Sequence, residues 1–370
     1  MRCFAPKLLS AALLIAAPLV GTGSPAAPAR QAPSYANPVI DSDFPDPAII
    51  RASDGRYYVY ATQGAGPDGK MLNIQVATSG DLTSWRRLGD ALPVKPAWAS
   101  RTQDFWAPHI TEHRGTYYLY YSAKPDEALA DQRKGLCLAV ATARRPDGPF
   151  TDIGKPLQCG PGFVNIDPMA YDDPASGRPL LYWGSGFEPI KVRELAQDRI
   201  SFAPGSAPVD LVKPVKGGDY QQLVEGAWVI RRGRYFYLFY SGDNCCGPKA
   251  HYAVMVARSR SATGPFETLA SVTGARSSVI LERDGRWIAP GHNSIISDAL
   301  GTDWMLYHAV DGRRPRAKPG DEVNTRRVML IDRIVWRNGW PRIEGDAPSS
   351  SARPRPATNR MAAAFDPAID

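Results

Sequence analysis

An aromatic strand motif returns five times along the 370-residue chain, about once every 60 residues. Its copies are DGRYYVYAT at 54–62, RGTYYLYYS at 114–122, RPLLYWGS at 178–185, RGRYFYLFYS at 232–241 and GTDWMLYHA at 301–309. A period of this length is typical of a four-stranded β-meander with its loops. The repeat predicts a chain built from five copies of one strand unit.

Each unit also contains a strand in which apolar and small residues alternate, at 74–79, 137–142 and 252–257 in three of the copies. Period-two patterning, abundant Tyr and Val, and Gly or Pro at the turns predict strands throughout. We therefore expect an all-β fold, a five-bladed β-propeller, whose closure protects the sheet edges. Two packed β-sandwiches are the alternative, but they do not predict so regular a period.

The two ends of the chain differ from the repeats. Arg2 and Lys7 precede an apolar run at 8–20 and small residues up to 29, which predicts a secretory signal peptide over 1–29. The apolar run is too short to span a bilayer. The propeller is placed at 30–346, and the Pro-, Ser- and Arg-rich residues 347–370 are predicted to be a mobile tail. We expect a soluble, exported monomer.

Charge and cysteine content exclude some functions. The net charge is +7, but the basic residues are scattered among acids, which argues against nucleic-acid binding.

Four cysteines follow the predicted signal: Cys137, Cys159, Cys245 and Cys246. An exported chain can oxidise them, and their spacing matches no metal site. Cys137 could pair with Cys159, whereas the adjacent pair needs a strained ring, and the pairing stays open.

The residues that lead the first strand of each repeat carry functional groups. In order they are Asp46, Ala107, Asp167, Glu225 and His292. Prolines on both sides of Asp46 fix the backbone there. Because the innermost strand of every propeller blade lines the central channel, three carboxyl groups and one imidazole are predicted to meet at one place.

Several carboxyl groups facing one channel suit the hydrolysis of a glycosidic bond. This reaction needs one carboxylic acid to protonate the leaving oxygen and one carboxylate on the other side of the sugar. Like charges held close disfavour joint ionisation, so one of the carboxyl groups is expected to have a raised pKa and to serve as the general acid.

The same motifs, in the same order, resemble glycoside hydrolase family 43. They are NPV at 37–39, DFPDP at 43–47, FWAP at 105–108, DP at 167–168, VEG at 224–226 and GHNS at 291–294. The resemblance runs over residues 37–343. It implies a five-bladed propeller and an inverting arabinanase, arabinofuranosidase or xylosidase.

The resemblance also implies roles for individual residues. Asp46 is the expected general base, Glu225 the general acid, and Asp167 the residue that orients Glu225 and keeps its pKa high. His292 matches a channel histidine that helps to hold a hydrated calcium or similar ion, with a hydrogen-bonded core histidine as the alternative. No cofactor is expected for catalysis itself.

Three further residues are expected to contact the sugar. Trp106 matches an aromatic residue beside the sugar, Ser185 a sugar-contacting serine, and Arg327 an arginine that binds sugar hydroxyls or steadies the carboxylates. Packing between blades is the alternative for Trp106, and a strand-face charge is the alternative for Arg327.

The sequence departs from the family pattern at positions that concern the substrate. Ala227, His109 and the pair at 187–188 replace residues that are usual there. We expect an enzyme acting on α-L-arabinofuranosyl linkages of plant polysaccharide, with arabinan first and arabinoxylan or xylo-oligosaccharide second. A retaining fructan-cleaving propeller lacks support, because its motifs are missing from the sequence. A non-catalytic sugar-binding propeller has no need for three convergent acids.

Overall fold

The computed structural model describes Met1 and residues 33–318, 320 and 324–358. Apart from Met1, the predicted signal peptide lies outside these residues, as does the last part of the predicted tail, 359–370. Residues from Pro33 onward form one compact unit. Among the described residues, no helix has the length and apolar character needed to cross a membrane.

The predicted five-bladed β-propeller is confirmed. After β1 (Ser34–Tyr35), blade one contains β2 (Ala48–Arg51), β3 (Tyr57–Ala61), a small hairpin of β4 (Gly64–Ala65) and β5 (Met71–Leu72), then β6 (Gln75–Ser79) and β7 (Trp85–Asp90). Blade two contains β8 (Phe105–His113), β9 (Thr116–Ala123), β10 (Cys137–Ala143), β11 (Thr151–Asp152) and the added strand β12 (Gln158–Cys159).

The remaining blades repeat this order. Blade three contains β13 (Met169–Asp172), β14 (Pro179–Trp183), β15 (Ile190–Glu194) and β16 (Val209–Val212). Blade four contains β17 (Val224–Arg232), β18 (Tyr235–Asn244), β19 (His251–Ser259), β20 (Glu267–Thr268) and the added strand β21 (Val279–Leu281). Blade five contains β22 (Trp287–Ser297), β23 (Asp303–Asp311), β24 (Arg327–Arg337) and β25 (Trp340–Ile343), and β26 (Arg353–Pro354) follows it.

The four main strands of every blade form an antiparallel meander, in which each strand pairs with the next main strand along the chain. The helices described are short: a 3₁₀ turn at Ala97–Ala99, α1 (Glu127–Ala130) and α2 (Leu269–Thr273). The aromatic motifs form the second strands, as predicted, because their alternating large side chains pack on both faces of each blade.

The second strands supply much of the core between blades. Each contains a tyrosine that is at most 1% exposed, namely Tyr60, Tyr120, Tyr182, Tyr240 and Tyr307. The hydroxyl groups of Tyr120 and Tyr182 donate to the backbone carbonyls of Arg199 and Ala262 in the following blade, both at 2.6 Å. These buried tyrosines therefore join adjacent blades as well as filling the space between them.

The ring closes between blade five and blade one. The first strands β2, β8, β13, β17 and β22 lie beside one another in turn, and β22 also lies beside β2. The segment before β2 is joined to β24, since the N–H of Phe44 donates to the carbonyl of Arg327 at 2.8 Å. This closure brings the five first strands around one channel.

The described residues contain two disulfides. Cys137 and Cys159 are joined between β10 and β12, where the two residues lie opposite each other. Cys245 and Cys246, whose pairing the sequence left open, are joined as neighbours in the loop after β18.

The domain boundary predicted at 346 was placed too early. Beyond it, β26 pairs with β1, and Ser349 is only 2% exposed. The carbonyl of Ser349 accepts the indole N–H of Trp287 at 3.1 Å. The first part of the predicted tail is therefore packed against the propeller.

Candidate active site

The first strands reach the channel through an unusual backbone conformation. Asp46, Ala107, Asp167, Gly226 and His292 all have positive φ, between 47° and 62°. In blades two, four and five, this residue lies in a β-bulge of the first strand. A positive φ is costly for residues other than glycine and persists where the surrounding structure enforces it. The bulge turns the strand end toward the channel.

Side chains from the preceding blade hold these backbone positions. Thr62 Oγ accepts the N–H of Ala107 at 2.7 Å, and Ser241 Oγ accepts the N–H of His292 at 2.9 Å. His308 Nδ1 accepts the N–H of Asp46 at 3.1 Å. These contacts form a partial ring of hydrogen bonds around the channel, from one blade to the next.

The same pattern corrects the alignment of blade four. The residue with positive φ there is Gly226, whose N–H donates to Asp167 at 2.9 Å. Glu225 therefore lies one residue before the position that Asp46 occupies in blade one. It corresponds to Trp106, which also precedes the bulged pair of its strand.

The channel itself is lined by all five blades, as predicted. Its lining residues are Pro47, Ala48, Pro108, His109, Asp167, Pro168, Met169, Ala227, Trp228, His292 and Asn293. The side chain of His292 faces two of the predicted catalytic groups, because its Nδ1 lies 3.5 Å from Asp46 Oδ1 and 3.8 Å from Asp167 Oδ2.

Asp46 is a buried carboxylate with several polar partners. Thr62 donates to its Oδ2 at 2.5 Å, and the guanidinium of Arg327 donates to its Oδ1 at 3.2 Å. Burial alone would raise the pKa of Asp46, but the opposing charges, that of Arg327 foremost, hold this pKa well below its usual range. Asp46 is therefore ionised at neutral pH.

Asp167 has the opposite electrostatic setting. Burial raises its pKa well above the usual range, and the neighbouring charges of Glu225 and Asp46 raise it further. The backbone N–H of Gly226 is the hydrogen bond that opposes this shift. Asp167 therefore holds a proton more readily than an ordinary aspartate.

Glu225 is also biased toward its protonated form. Burial raises its pKa to about 7, and the hydrogen bond that Tyr252 donates to its Oε1 at 2.8 Å opposes the rise. Tyr252 can lie this close to blade five only because residue 291 is glycine. A Cβ at Gly291 would come within 2.1 Å of the tyrosine ring.

The three predicted sugar-contacting residues have different surroundings. Arg327 contacts Asp46, which matches the predicted role of steadying a carboxylate. Trp106 is half-buried, one residue before the positive-φ position of β8. Ser185 is fully buried, and its hydroxyl accepts the N–H of Phe187 at 3.2 Å. The sugar contact of Ser185 stays a prediction.

Sequence reasoning missed Thr62, Tyr252 and His308. Burial lowers the pKa of His308 to about 4, so its neutral ring can accept the N–H of Asp46. A signal for two of these residues was present, because polar residues lie at or next to the ends of the aromatic motifs, Thr62 and His308 among them. Tyr252 had no such signal, since tyrosines are common in all the strands.

A propeller whose channel combines one ionised carboxylate with carboxyl groups of raised pKa has the groups of an acid–base glycoside hydrolase. The family model for glycosyl hydrolases family 43 matches residues 35–341. The chain belongs to this family, and the resemblance seen in its motifs is confirmed.

Individual relatives agree with this assignment. The chain is 30% identical over 326 residues to a probable arabinan endo-1,5-α-L-arabinosidase A of Aspergillus clavatus, covering 83% of this chain and 94% of the relative. It is 27% identical over 323 residues to an extracellular exo-α-(1→5)-L-arabinofuranosidase, ArbA, of Cellvibrio japonicus, covering 82% and 86%. The crystal structure of a thermostable family-43 glycoside hydrolase is similar with a TM-score of 0.69 at 26% identity, covering 88% of this chain and 100% of the other.

Proposed function

We propose that the protein hydrolyses α-L-arabinofuranosyl linkages of arabinan and arabino-oligosaccharides with inversion at the anomeric carbon. The arabinan-cleaving relatives named above support this substrate. The observation that carries the mechanism is the opposite displacement of two pKa values, that of Asp46 downward and that of Glu225 upward to about 7. A base and an acid are thus both in their working forms below about pH 7.

In the proposed reaction, Asp46 accepts a proton from a water molecule as the water oxygen bonds to the anomeric carbon. The bond from that carbon to the leaving oxygen breaks, and Glu225 donates its proton to this oxygen. Tyr252 orients Glu225 through the bond to Oε1. Arg327 and Thr62 fix the carboxylate of Asp46, which places its lone pairs for the water.

Asp167 is proposed to act on the acid without touching the bond that breaks. Its carboxyl oxygen accepts the N–H of Gly226, the residue next to Glu225. The charge of Glu225 raises the pKa of Asp167, because two buried carboxyl groups resist being ionised together. Asp167 therefore fixes the backbone of the acid, and the ionisation of both carboxyl groups at once is disfavoured.

We also propose that a hydrated cation, with calcium as the first candidate, binds in the channel beside His292. The donor set fits such an ion, because the buried amide of Asn293 lines the same cavity and neither of its polar atoms has a partner among the described residues. Buried polar groups of this kind are usually satisfied by ordered water. A bound cation would supply positive charge close to the carboxylates.

Chelation tests this ion. Exhaustive treatment with EDTA is expected to lower the melting temperature and to remove about one equivalent of metal per chain. In the His292→Ala variant, both effects should disappear. The described residues also contain a more exposed group of possible ligands, Asp219, Asp243 and His251. The His251→Ala variant is the control, and loss of the metal there instead would contradict the channel site.

We also propose that the protein is exported. One relative is named as extracellular, and the Cys137–Cys159 disulfide is of the kind that persists in oxidising compartments. The predicted signal peptide over 1–29 is the segment that would direct it.

The substrate and the mechanism are tested together on debranched arabinan. Proton NMR of the parent enzyme's first product is expected to show the β-anomer, because inversion converts an α-linkage into a β-hemiacetal. The Glu225→Gln variant should lose about 10²–10⁴-fold in rate, since it lacks the transferable proton.

The control for this loss is Glu344→Gln, which removes a partly exposed surface carboxylate paired with Arg333. Its rate is expected to equal that of the parent. Prompt appearance of the α-anomer would contradict Asp46 as the general base. A parent protein that binds arabinan without any turnover would instead be a sugar-binding propeller.

A further inference from the structure

The loop after β18 brings the Cys245–Cys246 disulfide to the catalytic carboxylate. Sγ of Cys245 lies 3.8 Å from Nη1 of Arg327. The same Nη1 donates to Oδ1 of Asp46 at 3.2 Å. The sulfur, the guanidinium and the carboxylate are therefore consecutive contacts, and the disulfide lies one side chain away from the proposed base.

The loop is fixed on both sides of the site. Just before the loop, at the end of β18, Oδ1 of Asp243 accepts the N–H of Gln222 at 2.8 Å and that of Leu223 at 3.3 Å, close to Glu225. Toward blade five, the N–H of Gly247 donates to Thr325 at 3.2 Å, two residues before Arg327. The disulfide thus lies between the chain segments that carry the proposed acid and the arginine.

We propose that the Cys245–Cys246 disulfide is a positioning element for Arg327, and through it for the alignment of Asp46 with the sugar. A disulfide between adjacent residues closes a ring that includes their peptide bond, so the sulfurs cannot rotate as free thiols do. A fixed sulfur is a polarisable surface and a weak acceptor for one edge of the guanidinium. It restricts a long side chain that otherwise has many rotamers.

The other disulfide is not expected to position Arg327. Cys137–Cys159 joins β10 to β12 in blade two, and it serves as a matched internal control. Opening Cys245–Cys246 should leave the blades intact while releasing Arg327. Because small misplacements at a reacting centre are costly, we expect kcat/KM to fall by between about tenfold and a hundredfold.

The first experiment uses the Cys137→Ser/Cys159→Ser variant, in which Cys245–Cys246 is the remaining disulfide of the described residues. A phosphine reductant should lower kcat/KM on debranched arabinan, and reoxidation should restore it. The Cys245→Ser/Cys246→Ser variant should show the lowered rate from the start and no response to the reductant. The melting temperature of each form is measured as well. A value above the assay temperature for every form separates this effect from unfolding.

A double-mutant cycle then tests the link to Arg327. Arg327→Met and Cys245→Ser/Cys246→Ser are each expected to lower kcat/KM, but their combination should be little worse than Arg327→Met alone. Fully additive losses, or a reduced enzyme as active as the oxidised one, would overturn the positioning role. This inference depends on the proposed function, and a parent enzyme inactive on arabinan would count against the substrate instead. The cycle would then use whichever glycoside the parent cleaves.

Discussion

Asp46 and Glu225 carry the same functional group in the same channel, and their immediate neighbours set them apart. Asp46 has a guanidinium and a threonine hydroxyl on its oxygens, whereas Glu225 has a single neutral donor, Tyr252. Both are less than a tenth exposed, so burial raises both pKa values, and at Asp46 the polar and charged neighbours, Arg327 foremost, reverse the effect. Direct contact with Arg327 is therefore the main difference that keeps Asp46 ionised while Glu225 retains its proton.

Tyr252→Phe is expected to move the basic limb of the pH–rate profile to higher pH. The hydroxyl of Tyr252 stabilises the ionised form of Glu225, so its removal raises a pKa that now lies near 7. A hydrogen bond contributes about 0.5–1.5 kcal/mol, and one pKa unit corresponds to about 1.4 kcal/mol. The limb of kcat/KM should therefore shift upward by about half a unit to one unit.

Tyr120→Phe is the matched control for this change. It removes a buried hydroxyl that donates to a loop carbonyl away from the site. It should lower the melting temperature and leave the basic limb of the pH–rate profile unchanged. An unshifted limb in Tyr252→Phe, or an equal shift in both variants, would contradict the assignment of Glu225 as the acid.

The sequence predicted the residues that lead the first strands but not the residues that hold them. Asp46, Asp167 and His292 meet at the channel as expected, because the repeat assigned them to equivalent places. Tyr252 comes from a third strand, where a tyrosine is indistinguishable from core. Its role depends on the close approach that Gly291 permits, and no one-dimensional pattern contains that contact. The catalytic roles themselves stay predictions.

At the level of strands, periodicity predicted the second and third strands well. The five aromatic motifs begin between one and three residues before the strands that they form, β3, β9, β14, β18 and β23. These strands are regular and buried, so alternation and aromatic content determine them.

The first strands were less predictable, because their ends are irregular. His292 was expected to begin a strand, but it lies within β22, in the second of two shifts of register. In blade four, the bulge moves the positive-φ position to Gly226, so Glu225 precedes it by one residue. A one-residue change in register alters where a side chain points. Bulges are set by contacts between strands, and the strand pattern does not encode them.

At the level of the whole molecule, closure of the ring depends on both ends of the described chain. The amide of Asn37 donates to the carbonyl of Ile331 at 3.0 Å and to Ser349 Oγ at 2.9 Å. The composition of residues 347–358 resembles that of a flexible tail, which is why the boundary was predicted too early. Their order comes from partners in distant strands, which local composition does not reveal.

Ser349→Ala is therefore expected to destabilise the propeller, although the residue lies in a Pro- and Ser-rich stretch. Its hydroxyl accepts from Asn37, and its backbone N–H donates to Oδ2 of the buried Asp332 at 3.1 Å. Loss of the hydroxyl leaves a buried amide donor with poorer partners, which costs about 1 kcal/mol of the free energy of unfolding.

Ser350→Ala is the matched control, because Ser350 is exposed and its substitution should change the free energy of unfolding by less than about 0.5 kcal/mol. Denaturant titration of both variants gives the comparison. Equal stabilities would mean that the segment after 346 rests on the propeller without contributing to its closure.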